Sequence, residues 1–95
     1  MTTKTTDSEM RSQLGITTAQ IKSAPIGAIY IWVTNDTWYP KALAKHLGRE
    51  DIQFKSHSWF TLDNVIGKQL PIIIFDHHVK MTTENLELLA SMSWN

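Results

Sequence analysis

Two stretches of the chain are apolar at consecutive positions and have the length of β-strands. They are IYIWV at residues 29–33 and IIIF at residues 72–75. A strand that is apolar on both faces is usually covered on both sides, so the first is predicted to be central and the second to be buried on both faces. In a third stretch, DIQFK at residues 51–55, apolar and polar residues alternate. Such alternation predicts a less buried strand at the edge of the sheet.

Helical spacing of apolar residues marks the segments between and after these strands. In TWYPKALAKHLG, apolar residues recur every three or four positions, which predicts a helix over residues 38–47. In MTTENLELLASMSW, a closing helix is predicted, with Leu86, Leu89 and Met92 as its buried stripe. The segment WFTLDNVIGKQ leaves two alternatives open: one or two helical turns closed by Gly67, or a loop.

A further helix is predicted near the N-terminus from its capping residues. Thr17 and Gln20 have the spacing of a capping box, with Thr17 as the N-cap and Gln20 three residues later. The helix would run from Thr18 to about Ala24, because Pro25 disfavours its continuation.

Together these segments alternate between helix and strand from one end of the chain to the other. Such alternation predicts an α/β fold: a small three-stranded, mainly parallel sheet with flanking helices, similar to half of a Rossmann fold. Residues 1–12 are polar, rich in threonine and without periodicity, so we predict a mobile tail followed by a single α/β domain at residues 13–95. A mixed sheet is the alternative topology.

Composition and charge narrow the range of functions. The nine basic residues are balanced by nine acidic ones, which argues against a dedicated nucleic-acid binder. The absence of cysteine excludes disulfides, thiolate zinc sites and a thiol nucleophile. The polar start MTTKTTDSEM is unlike a signal peptide, and no apolar run approaches the ~20 residues of a membrane span. A cytoplasmic protein without a membrane partner is predicted.

Polar residues follow the end of each predicted strand, and in a parallel sheet these ends would share one rim, where ligands bind. This rim is predicted as a binding site formed by Asn35, Asp36, His57, Ser58, Asp76, His77 and His78. Trp38 and Trp59 follow two of the strand ends and could stack on bases or anchor a protein partner. Turn and cap residues of the same types also end strands that bind nothing, so that interpretation stays open.

A second candidate surface is the outer side of the predicted helix 38–47, where Lys41, Lys45 and Arg49 recur. These cations could contact nucleic acid, and such binding would fall steeply with salt. No cofactor is predicted, because the loop VTNDTWYP lacks the glycines of a phosphate-binding cradle. A serine triad is not predicted either, since no Gly-x-Ser-x-Gly elbow surrounds Ser58.

The segment IIIFDHH resembles the motif that names the DHH phosphoesterase family, in which an apolar strand also ends in Asp-His-His. The resemblance covers seven of 95 residues and implies that Asp76 and His77 help to hold a divalent metal ion for phosphodiester cleavage, with His78 near the phosphate. The alternative function is therefore a minimal metal-dependent phosphoesterase, whose metal ligands would be Asp36, His57, Asp76 and His77. Adjacent histidines point in opposite directions if the strand continues, which argues against both binding one ion.

A longer run, from SAPIGAIYIWVTNDTWYPKALAKHLGREDI through SHSWF to IIIFDHH, is similar to small bacteriophage-type proteins. Its order of elements is also similar to part of a P-loop or helicase-like core without the phosphate loop, which implies a viral accessory factor without nucleotide hydrolysis. We therefore expect a non-enzymatic accessory or inhibitory protein, phage-encoded and active in the host cytoplasm. It would bind a host protein or, through the basic helix face, nucleic acid. A homodimer is also expected, formed through the rim or an uncovered sheet edge.

Overall fold

The structure is a computed structural model in which residues 15–92 are described. It contains one three-stranded sheet, formed by β1 (Ile29–Trp32), β2 (Gln53–Ser56) and β3 (Ile73–Phe75). All strands are parallel, and β1 lies between the two edge strands β2 and β3. The predicted α/β class, the parallel sheet, the central first strand and the edge position of β2 are therefore confirmed. The predicted tail at residues 1–12 lies outside the described residues.

Helices cover both faces of this sheet and make the arrangement Rossmann-like. They are α1 (residues 15–23), α2 (Trp38–His46), a 3-10 turn (His57–Trp59), α3 (Leu62–Val65) and α4 (Thr83–Met92). Of the two alternatives for the segment before β3, the helical turn is present as α3, and Gly67 follows it with a positive φ of 74°. In the described part of the chain, no helix is long and apolar enough to cross a membrane.

The core lies on both sides of β1, because the side chains of this strand alternate between two apolar layers. Tyr30 faces α1 and α2, where it packs with Ile21 and Ala44. Ile29 and Ile31 face the opposite way, and residues of β3 connect their cluster to the one formed by α3 and α4. The sequence of β1 is apolar on both faces because helices bury both of those faces.

Two predictions about burial are wrong. β3 is predicted to be buried on both faces, but it is a partly buried edge strand, and Ile72 just before it is 59% exposed. In α4, Asn85 and Leu88 are buried, whereas Leu86 from the predicted stripe is 56% exposed. The polar Asn85 takes the inner position because its side chain accepts hydrogen bonds from the turn before α4 and from His57.

The first helix also differs from its prediction. α1 already includes residue 15, so Thr17 lies inside it and is not its N-cap. Thr17 and Gln20, the predicted capping pair, use their side chains to bond Asp76 and Phe75, more than fifty residues away in sequence. A hydroxyl or amide that caps a helix and one that bonds a distant element look the same in sequence, so their spacing could not reveal this role.

Candidate functional site

Because the sheet is parallel, the polar residues that follow the three strands lie at one end of it, the predicted rim. Hydrogen bonds divide these residues into two groups. In the first group, Ser58 donates a hydrogen bond to Asn35 Oδ1 at 2.8 Å and shares a second one, also 2.8 Å long, with Ser56. His57 Nε2 donates a hydrogen bond to Asn85 Oδ1 at 2.8 Å. These bonds join the ends of β1 and β2 to each other and to α4.

The second group is centred on Asp76, directly after β3, whose carboxylate is buried and accepts four hydrogen bonds. Its Oδ2 accepts from the Tyr30 hydroxyl at 2.6 Å and from Thr17 Oγ1 at 3.0 Å. Its Oδ1 accepts from the His78 backbone amide at 2.9 Å and from His78 Nδ1 at 2.6 Å. Asp76 therefore ties α1, β1 and the turn after β3 together at one point.

This hydrogen bonding determines the ionisation of the two central groups. Burial alone would raise the pKa of the Asp76 carboxyl, but the hydrogen bonds from Tyr30, His78 and Thr17 outweigh burial and lower that pKa below its ordinary value. Burial, together with the hydrogen bond to the Asp76 carboxylate and its negative charge, raises the pKa of Tyr30 far above its ordinary value. At neutral pH, Asp76 is therefore charged and Tyr30 is neutral.

The two histidines lie on the same side of the chain, contrary to the expectation for a continuing strand. The strand ends at Phe75, and the next residues form a turn in which the Val79 amide donates to the Asp76 carbonyl at 2.9 Å. This turn places the rings of His77 and His78 next to each other, with their centroids 3.9 Å apart. The histidine pair is thus a turn feature, fixed on one side by Asp76.

The donor set of the alternative phosphoesterase is not assembled in this arrangement. Within residues 15–92, the ligand atoms that lie within 4.8 Å of one another, as one ion would need, belong to Asp76, His77 and His78. Asp36 and His57 are outside that group. An ionised carboxylate has about four acceptor sites, and the four donors around Asp76 already use them. A metal ion would have to break these bonds, so the group fits a structural role better than a metal centre.

A row of rings runs along the rim from α2 to the histidine pair. Tyr39 and Trp32 have centroids 5.8 Å apart, and Trp32 and His78 lie edge-on at 5.9 Å. Trp38, the residue before Tyr39, is 71% exposed. Trp59, the other predicted anchor, instead packs partly buried against the core clusters. Of the two tryptophans proposed from sequence, Trp38 is the one whose side chain is largely exposed.

The first strand end also supports α2. Asp36 Oδ1 accepts a hydrogen bond from the Trp38 amide at 3.0 Å, so this rim carboxylate satisfies the first N–H of the helix from the position before the N-cap, Thr37. Lys41 and Lys45 are exposed on the helix surface, as predicted. Arg49 is not part of that basic face, because its guanidinium turns towards the end of α1.

Arg49 clamps the C-terminal end of α1 to the loop before β2. Its guanidinium donates to the carbonyl oxygens of Ile21 and Lys22 at 2.9 Å and of Ala24 at 2.8 Å. It also pairs with Asp51 at 3.1 Å. Carbonyls in the last turn of a helix have no partner within the helix, so Arg49 supplies a cap from a distant segment.

Gln20 is the residue at this end of the molecule that sequence reasoning missed most completely. Its Nε2 donates to the Phe75 carbonyl at 3.0 Å, and its Oε1 accepts from the His77 amide at 2.9 Å. A side-chain amide that bonds one carbonyl and one amide in this way imitates a neighbouring strand. The signal in the sequence, the spacing of Thr17 and Gln20, indicated the wrong partner.

Comparisons of the chain with protein-family models, with curated proteins and with solved structures give no match. Its function is therefore inferred from the residues described above.

Proposed function

We propose that the chain is a non-enzymatic accessory or inhibitory protein that acts by binding another protein, with Trp38 as an anchor of the contact. The observation that carries this proposal is the exposure of the Trp38 side chain, 71% at the start of α2. Tryptophan is enriched among the few residues that dominate binding energy at protein interfaces. A tryptophan this exposed on a small domain supports a protein-binding surface at the rim.

The surroundings of Trp38 support the same role. Val33, directly after β1, is 40% exposed, and Tyr39, next to Trp38 in sequence, is 37% exposed, so this end of the sheet carries further exposed apolar surface. Asn35 and Ser58, which bond each other, add exposed polar groups to the rim. An apolar centre with a polar border is the usual composition of a specific protein interface.

The same rim gives less support to the alternative phosphoesterase. The Asp76 carboxylate is occupied by four donors, and the Asp36 carboxylate accepts from the first N–H of α2. The Asp76 carboxylate is thus fully used, and Asp36 lies outside the group of ligand atoms around it. Binding without catalysis is the role that these residues support best, and it is also the role implied by the resemblance to small bacteriophage-type proteins.

The test is affinity purification with the full chain as bait, comparing the wild type with Trp38→Ala and Ile26→Ala. Ile26 is a matched control because it is 91% exposed but precedes β1, at the opposite end of the sheet. We expect a protein that is retained by the wild type and by Ile26→Ala, and retained about tenfold less by Trp38→Ala. Calorimetry with that purified protein should give the same ranking.

Circular dichroism of each variant provides the folding control. The proposal is wrong if folded Trp38→Ala retains every partner as well as the wild type does. It is also wrong if the retained material disappears after nuclease treatment, since that result would indicate a nucleic-acid binder.

A further inference from the structure

The outer edge of β2 has backbone groups that no other part of the described chain covers. Gln53 donates its amide to the Ala28 carbonyl in β1. In a parallel ladder, alternate residues bond alternate sides, so the N–H and C=O of Phe54 and the N–H of Ser56 point away from the sheet. Within residues 15–92 these groups have no hydrogen-bond partner. They can therefore accept one more strand.

Lysines flank this edge on both faces of the sheet. Together with Phe54, the residues Lys41 and Lys45 from α2 and Lys55 from β2 line a groove of about 420 Å³. Within the described residues none of these lysines has a salt-bridge partner. Glu50 is the one acidic residue that lines the groove, and Arg49 is neutralised by Asp51. The groove therefore carries an unbalanced positive charge.

The backbone pattern of the edge identifies the kind of ligand. Phe54 offers both a donor and an acceptor, and a peptide backbone offers both in return at the strand spacing of about 3.3 Å per residue. A nucleic-acid backbone supplies mainly phosphate acceptors, with 2′-hydroxyl donors in RNA, and it does not alternate donors and acceptors at the spacing of a strand. A second copy of this chain would bring its own three lysines to the same edge, and like charges opposite each other oppose pairing.

We propose that the outer edge of β2 binds a short, extended, acidic segment of a partner protein as an added strand. Main-chain hydrogen bonds to Phe54 and Ser56 hold the segment, and Lys41, Lys45 and Lys55 select its carboxylates. The proposal rests on the protein-binding role proposed above, but it adds a surface that does not include Trp38. Because β2 has four residues, the bound segment is equally short.

The experiment is a titration of the ¹⁵N-labelled full chain with an N-acetylated, C-amidated hexapeptide of alternating glutamate and valine, followed by NMR. We expect the Phe54 and Ser56 amide resonances to shift in a saturable manner by about 2 mM peptide. We expect the dissociation constant to rise roughly threefold to tenfold between about 50 and about 300 mM salt, because exposed charges are screened. The same peptide with alternate amides N-methylated should not bind.

Ser56 allows a variant that closes the edge without straining the fold. Its φ of −73° and ψ of 160° suit proline, and Ser56→Pro removes only the outward N–H and the hydroxyl. Ser56→Ala removes the hydroxyl alone and is the matched control. We expect Ser56→Pro to weaken peptide binding about fivefold or more, and Ser56→Ala to leave it within about twofold.

A second pair of variants tests the charge. Lys45→Glu should weaken binding about tenfold, while Lys80→Glu, at an exposed lysine after β3, should leave it within about twofold. Trp38→Ala should bind the peptide like the wild type. Loss of partner capture in Trp38→Ala with peptide binding intact would separate the two surfaces.

Several results would overturn the proposal. Absence of shifts at about 2 mM peptide would do so, as would equal binding of a lysine-valine hexapeptide. Displacement of the glutamate peptide by a short oligothymidylate with higher affinity would assign the groove to nucleic acid. Concentration-dependent broadening of Phe54 and Ser56 without peptide would assign the edge to self-association. None of these results would contradict the role of Trp38.

Discussion

The outer edges of β2 and β3 have the same kind of outward backbone groups, but the side chains next to these groups differ. At β3, the side-chain amide of Gln20 bonds the Phe75 carbonyl and the His77 amide, so the carboxyl end of this edge is already occupied. At β2, the Phe54 backbone has no such partner among residues 15–92, and lysines stand beside it. One edge is occupied at its carboxyl end by a hydrogen-bonded side chain, and the other is only charged.

This difference shows two physical ways to keep a small sheet from pairing with copies of itself. A hydrogen-bonded side chain excludes any other strand from the backbone groups that it occupies, whatever the sequence of that strand. Charged side chains exclude strands of the same charge and admit strands of the opposite charge. A charged edge is therefore selective, and an occupied edge is not.

The largest effect on stability is expected when the charge of Asp76, after β3, is removed. The Asp76 carboxylate accepts four hydrogen bonds. In Asp76→Asn, the NH₂ group of the new amide cannot accept a hydrogen bond and faces some of these donors with its own N–H groups. We expect the free energy of unfolding to fall by about 3 kcal/mol, measured by urea denaturation with tryptophan fluorescence.

Asp36→Asn is the matched control for this prediction. Asp36 also accepts a backbone hydrogen bond, from Trp38, but it is exposed, so the loss should stay below about 1 kcal/mol. The low pKa of Asp76 further predicts that wild-type stability decreases as the pH falls below about 4, where the unfolded chain takes up a proton more readily than the folded one. Equal losses in the two variants would contradict the central role of Asp76.

Alkaline pH should weaken the same region through Tyr30. The folded protein keeps this phenol protonated because its pKa is raised, whereas the unfolded chain loses the proton near the ordinary pKa of about 10. Stability contributed by Tyr30 is therefore complete below pH ~10 and is lost as the pH rises above that value. Urea midpoints between about pH 9 and pH 11 measure the effect.

Tyr30→Phe isolates this contribution from other groups that titrate at high pH. The variant should be less stable than the wild type at neutral pH, because Asp76 loses one donor, and its stability should depend less on alkaline pH. If the wild type and Tyr30→Phe lose stability in parallel, the phenol is not the group responsible.

A smaller effect is expected when the β3 edge is opened. Gln20→Ala removes the side chain that bonds Phe75 and His77, which should cost about 1–2 kcal/mol in urea denaturation. It should also let the protein self-associate in sedimentation velocity, because the carboxyl end of this apolar strand then loses the side chain that occupies its outer edge. Gln53→Ala, at an exposed glutamine on β2, should change neither property. A strictly monomeric Gln20→Ala would show that Gln20 does not guard the edge.

The smallest effect on stability is expected at the β2 edge. Ser56→Pro removes an N–H that bonds nothing within the described chain and fits the local backbone, so the free energy of unfolding should change by less than about 0.5 kcal/mol. Thermal unfolding of the variant beside Ser56→Ala measures this. A large destabilisation would mean that the outward N–H has a structural partner in the folded protein.

The sequence predicted the elements better than it predicted their neighbours. Residues 29–33 identified the central strand, because a strand covered on both sides must be apolar on both faces. Residues 72–75 have the same pattern but form an edge strand. The apolar period reports which faces are covered, and it carries no information about the hydrogen-bonded edges.

At the rim, too, the sequence predicted the residues but not their hydrogen-bond partners. The types of residue at the strand ends predicted that Asp76 and the two histidines would lie there, since polar residues end buried strands. Their partners Thr17 and Gln20 could not be predicted, because those contacts join segments more than fifty residues apart. Arg49 was placed on the outer helix face by helical spacing, although α2 ends before it at His46 and its side chain is free to turn back.

The Arg49 clamp has a consequence for the order in which the domain forms during synthesis. The described part of α1, residues 15–23, is short enough to be marginal by itself in water. The last carbonyls of α1 gain their hydrogen bonds only when Arg49 is present, and the side chains of Thr17 and Gln20 gain theirs only when residues 75–77 are present. On the ribosome, α1 emerges before all of these partners, so the earliest helix of the described chain cannot be fixed until the turn after β3 has been made. Until α1 is fixed, the apolar surface around Tyr30 that this helix covers stays exposed, and a chaperone would bind there.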